Sequence, residues 1–163
     1  YRSIGINRND FMSLIQINDN RPDDIKAIQW LSFASNAFNV MVPFYADIET
    51  TPDYLSNTTG EVSTDNFYWS SRMMAAMAAA SYKKSIFHIE RYQEHVLSKG
   101  HEIINRYDDM IQNEADTDKH LALKHEANLA VADMLKAATS DTLGKVLYEL
   151  SNEMKNAYSR SDA

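Results

Sequence analysis

Two periods divide the chain. Up to about residue 60 the apolar positions come in short runs broken by polar loops; from about residue 65 they recur every three to four places. The first region reads as sheet. "SIGIN" (3–7) and "FMSLIQI" (11–17) flank "RND", with Asn9-Asp10 suited to a hairpin turn. After the polar loop "NDNRPDD", residues 26–34 alternate, with Ile28, Trp30 and Ser32 on one side against Ala27, Gln29 and Leu31. "FNVMVPFYA" (38–46) reads as a further strand, and Pro43 belongs at a sheet edge or a bulge because it cannot donate to a ladder. Residues 47–60, rich in Thr, Asn, Asp and Pro, read as loop.

The second region reads as helices. Asp65 or Asn66 caps a first one, which runs from Phe67 through Met73, Met74 and Met77 into alanines ending at Ala80. A second carries Ile86, Ile89, Val96, Ile103, Tyr107 and Met110 at near-heptad spacing. Gly100 marks a place in it for a kink or break, since glycine costs about 1 kcal/mol relative to alanine inside a helix. A third is expected from Asp116 or Thr117, using Leu121, Leu129, Ala132 and Leu135. A fourth is expected after a cap at Ser140 or Asp141, striped with Leu143, Val146, Leu147, Leu150, Met154 and Ala157. The expectation is one α+β domain over 1–163: a β-rich segment (1–60) forming a small antiparallel sheet of about four strands, then three to four helices (61–163). The helices would cover one sheet face and leave the other face and an edge bare.

Composition narrows the function classes. At 163 residues the chain can bury a core without staples. A net charge of −7 argues against a nucleic-acid or anionic-membrane partner. No apolar run approaches the roughly 20 residues of a membrane span, and no signal peptide is visible, so a cytoplasmic origin is the default expectation. There is no cysteine, hence no disulfide, no Cys-based zinc site and no thiol nucleophile.

The titratable residues form no recognisable site. His88 and His95 are too far apart for one metal. His101-Glu102 and His125-Glu126 lack the second histidine of the zinc-protease helix, and no Glu-x-x-His pair occurs. The carboxylate pairs Asp23-Asp24 and Asp108-Asp109, with Asp116 and Asp118, read as solvated charge, because adjacent helix residues do not face each other. No nucleophile elbow, phosphate loop or dinucleotide fingerprint is present. The corner "ASNAFN" stands apart. Asn36 and Asn39 at a strand end either donate to a developing oxyanion or bond their own backbone to shape a turn. Arg2 and Arg8, flanking the first strand, either grip a substrate carboxylate bidentately or are simply solvated.

"RSIGINRNDFMSLIQI", "IQWLSFASNAFNVMVPFYADIETTPDYL" and "VSTDNFYWSSRMMAAMAAASY", in this order over residues 1–82, resemble the C-terminal half of the dipeptidase A type of cysteine dipeptidase, with the secernins as more distant relatives. The residues carrying the likeness are Arg2, Trp30, Asn36, Asn39, Pro43 to Tyr45, Pro52, Tyr54 and Tyr68-Trp69. The resemblance implies an N-terminal-nucleophile hydrolase with a four-layer αββα sandwich. A cysteine at the mature N-terminus attacks a dipeptide carbonyl, its own α-amine serves as base, and no metal or cofactor is needed. It places Asn36 and Asn39 near the cleft as candidate oxyanion residues, and makes Arg2 and Arg8 candidate substrate-binding residues. The departure is the nucleophile: the chain begins at Tyr1 and has no cysteine. The expectation is therefore a C-terminal fragment, inactive alone, from a self-associating parent. The rival is a non-catalytic helical assembly module; a helical metal-binding protein is disfavoured by the histidine spacing.

Overall fold

The computed structural model describes residues 9–35 and 37–154. Three antiparallel strands come first: β1 (Phe11–Ile17), β2 (Ala27–Phe33) and β3 (Val42–Tyr45), in spatial order β1-β2-β3. The registers pair Leu14 with Trp30 and Trp30 with Pro43. The expected strand at 3–7 lies outside the described residues. Four helices follow: α1 (Asp53–Ser56), α2 (Phe67–Ala80), α3 (Tyr82–Asn113) and α4 (His120–Asn152), with a 3-10 turn (Thr117–Lys119) leading into the last. The α+β architecture and the order of sheet before helices are as the sequence indicates.

The alternation in β2 is real. Ile28, Trp30 and Ser32 are buried while Ala27, Gln29, Leu31 and Phe33 are half-buried. The buried side meets α3: the Trp30 and His101 rings lie 5.0 Å apart, and the Tyr45 hydroxyl reaches Asp108 at 2.6 Å. β3 is buried at all four positions. Tyr45 turns both backbone groups outward to Asn128 of α4, its N–H donating to Oδ1 (2.9 Å) and its C=O accepting from Nδ2 (3.0 Å). Ladder bonds alternate along an antiparallel pair, so Pro43, two residues earlier, also faces its nitrogen outward. The ring there forfeits no bond to β2.

α2 starts where Asn66 caps it, Oδ1 accepting from the Trp69 N–H at 2.9 Å. Within the stretch read as loop, Pro52 opens the short α1, which buries Tyr54 and Leu55. Gly100 does not break α3, which runs 32 residues uninterrupted. Its missing side chain instead admits the Pro43 ring: a Cβ at Gly100 would sit 2.9 Å from Pro43 Cδ.

The expected third and fourth helices are one. α4 passes straight through Ser140 and Asp141 for 33 residues. Of the apolar residues assigned to its stripes, Ala132, Leu135 and Val146 are buried as expected, but Leu129 and Leu147 are exposed. The buried face is Lys124, Ala127, Asn128, Val131, Ala132, Leu135, Thr139, Thr142 and Val146, which is partly polar. Lys124, Asn128 and Thr139 find partners inside the fold, as where Thr139 Oγ1 meets the Tyr92 hydroxyl of α3 at 2.9 Å.

Candidate functional site

β2 ends in a sharp corner. Ala34 adopts φ 65°, a left-handed conformation that a side-chain-bearing L residue enters at a cost of about 1–2 kcal/mol. Its N–H donates to the Asp10 carbonyl at 3.0 Å, which ties the corner to the chain just before β1. Beside it opens a cleft of about 490 Å³, lined by Asn9, Asp10, Ala34, Ser35 and Phe38 and, from α2, by Arg72 and three alanines. Arg72 pairs with the Asp10 carboxylate across the cleft. The guanidinium also donates to the Tyr68 hydroxyl at 3.2 Å. It lies 5.6 Å from the Tyr68 ring centroid and 6.0 Å from that of Trp69. Trp69 is pinned in turn by its indole N–H donating to the Thr59 carbonyl at 2.9 Å.

Asn39 lies beneath this surface, buried. Its Oδ1 accepts from the Val40 N–H at 2.8 Å and from Ser71 Oγ at 3.4 Å. The Val40 donor fixes which end of the amide is oxygen. Nδ2 is then enclosed without an acceptor among the described residues, and a buried unpaired donor costs about 1–3 kcal/mol. The Asn39 carbonyl accepts from Gln93 Nε2 at 2.7 Å, so α3 also holds the corner. Of the other sequence candidates, Asn36, Arg2 and Arg8 lie outside the described residues.

A second polar cluster escaped the sequence reading. Asp108, which adjacency to Asp109 in sequence marks as solvated, is buried. It accepts from the Tyr45 hydroxyl at 2.6 Å and faces Arg21 at 2.6 Å. Arg21 also donates to Asn105 Oδ1 at 3.3 Å. Burial raises the Asp108 carboxyl above the usual carboxylate range, although Tyr45 and Arg21 oppose it. Burial, then the Asp108 carboxylate, pushes the Tyr45 phenol far up. The cluster ties the β1–β2 loop to α3. The signal that betrays it is spacing: Asp108 falls four residues after Ile104 and eight after Gly100, on the buried side of α3. Among the described residues, no three His, Asp or Glu side chains gather as a metal site, and no helix is long and apolar enough to cross a membrane.

Relatives agree on one class of protein. The chain is 37% identical over 162 residues to a probable dipeptidase A of Streptococcus pyogenes serotype M3 (strain SSI-1), covering 99% of this chain and 34% of the relative. It is 35% identical to a dipeptidase of Bifidobacterium longum (strain NCC 2705), covering 99% of this chain and 37% of that protein. It is 30% identical to dipeptidase A of Lactobacillus helveticus, over 91% of this chain and 31% of that one. The chain thus spans about a third of the length of the curated relatives it matches. The family model described as Peptidase family C69 matches residues 1–95, which include all three strands, the strained corner and Arg72. The chain belongs to peptidase family C69.

Proposed function

We propose that this chain is the C-terminal portion of a longer cytoplasmic polypeptide that hydrolyses dipeptides. The reaction is acyl transfer to an N-terminal cysteine thiolate, with the α-amine as base and no metal or cofactor. The observation that carries the reading is likeness along almost the whole chain to proteins named dipeptidases. The chain itself has no cysteine, so its part is to supply half of a sheet, a helical layer and one wall of the cleft. Alone it is inactive. Asn36 and Asn39 serve at the corner of that cleft, and Arg2 and Arg8 on its substrate side.

The test is hydrolysis of a dipeptide panel by the full-length protein, with and without a thiol-alkylating agent, using this chain alone as blank. Activity that alkylation abolishes and that the blank lacks is the expected result. Turnover by the blank, or none by the full-length protein, sinks the reading.

The helices favour self-association as well. Phe87, Leu147 and Tyr148 are each at least half exposed on the α3–α4 pair, and such surfaces commonly mark contacts with other protein. The parent is expected to be a homo-oligomer by sedimentation, and Tyr148→Glu is expected to lower its mass.

A further inference from the structure

We infer that Asp10 and Arg72 together read the two charged ends of the substrate, Arg72 taking the carboxylate of a dipeptide and Asp10 its α-ammonium. This deepens the dipeptidase reading and rests on it. An enzyme that accepts two residues and refuses three must sense both termini at once. Two extended residues span about 7 Å, so both ends of a dipeptide fall within reach of two side chains that touch when nothing lies between them. A longer peptide can satisfy only one.

The pair is built for exchange. Both side chains are well exposed, 43% for Arg72 and 60% for Asp10. An exposed, solvent-screened pair adds little to stability, so parting it costs little. Among the described residues only Nη1 of the guanidinium and one oxygen of the carboxylate are engaged. Nη2, Nε and Asp10 Oδ2 remain for a ligand, and the guanidinium fork suits a carboxylate bidentately.

Both groups are also held in place from behind. Tyr68 and Trp69 back the guanidinium. The Asp10 carbonyl bonds Ala34, the one described non-glycine residue with positive φ. The strained corner therefore positions the carboxylate, which gives the strain a use. Phe38, Ala75, Ala76 and Ala79 supply an apolar floor. The small methyls leave width for varied substrate side chains, and 490 Å³ is an ordinary size for a small-ligand site.

The experiment uses the full-length protein and substrates differing only at their ends: a free dipeptide, its C-terminal amide, and its des-amino analogue. Arg72→Met is expected to raise KM for the free dipeptide about 10- to 100-fold, the range of a lost charge-assisted bond. KM for the amide stays unchanged, and kcat moves by no more than about twofold. Asp10→Asn is expected to raise KM for the free dipeptide about 10-fold and to leave the des-amino analogue unaffected. Equal losses on all substrates, as a structural ion pair would give, overturn the assignment; so does an unchanged KM. If Arg72→Met proves unfolded by circular dichroism, Arg72→Lys keeps the charge without the fork. A KM rise confined to substrates with a free carboxylate then supports the assignment, and none overturns it. Wild-type protein that cleaves no dipeptide fails the underlying reading instead, an outcome distinct from an active enzyme indifferent to Arg72.

Discussion

At one margin of the sheet, β3 hands the backbone of Tyr45 to an asparagine side chain from α4. At the other margin of the sheet as the described residues form it, β1 leaves Phe11, Leu14, Ile15 and Ile17 exposed, each 52–64% and spread over both faces. Both strands are rich in apolar residues, yet only one is sealed. The sealed margin is made by contacts from 57 to 83 residues further along the chain, Gly100 beneath Pro43 and Asn128 beside Tyr45. The open margin carries apolar side chains that no described helix covers. A strand exposed on both faces is a liability unless other polypeptide lies against it. The helical layer is thus complete for β2 and β3 and stops short of β1.

Breaking the sealed side should cost most. Asn128→Ala strips partners from two buried backbone groups at once and is expected to lower stability by about 3 kcal/mol in urea titration. Gly100→Ala gains about 1 kcal/mol of helix propensity but drives a methyl into the Pro43 ring, so a net loss of about 1 kcal/mol is expected from the same measurement. On the open side, Ile15→Thr should change stability by less than about 0.5 kcal/mol. It should, however, weaken binding of an apolar dye to the chain. A loss from Ile15→Thr as large as that from Asn128→Ala would erase the contrast.

The smallest expected effect concerns how far the sealed side extends. His120 stands two turns before Asn128 on α4. One ring nitrogen meets Asp24 Oδ2 at 2.8 Å and the other the Glu114 carbonyl at 3.0 Å. Two acceptors require two N–H donors, the charged ring. The Glu114 carbonyl, then Asp24, raise its pKa above the usual 6.5. A raised histidine pKa contributes stability that is fully present below 6.5 and is lost as pH rises through the folded-state value. Unfolding stability is expected to fall slightly from pH 6 toward 8.5, and His120→Gln to flatten that slope.

Much of the fold was legible because burial and hydrophobicity coincide there. Ile28, Trp30, Ile89 and Val96 are apolar at the right spacing and are buried. The continuity of α4 and part of its inner face were not legible because there the two part company. Its inner face uses Lys124, Asn128, Thr139 and Thr142, while Leu129 and Leu147 look outward. A periodicity argument assigns leucines to cores, and Ser140-Asp141 looks like a cap when no partner for Thr139 is in view. The corner of the candidate site was legible in "ASNAFN". The charge pair was not: Asp10 and Arg72 are 62 residues apart and meet only through the fold. One local clue existed. Tyr68 and Arg72 are four apart on a capped helix, close enough for ring and cation to touch.

The contact between Pro43 and Gly100 sets an index mark between sheet and helix. A slide of α3 by one turn, about 5.4 Å, would bring Val96 or Ile104 opposite the proline ring, where a branched side chain has no room. The helix therefore has one axial position against β3. That position places Gln93 under the Asn39 carbonyl at one end and Asp108 at the Tyr45 hydroxyl at the other. A notch one residue wide, with neither charge nor hydrogen bond, keeps the two ends of β3 in registration.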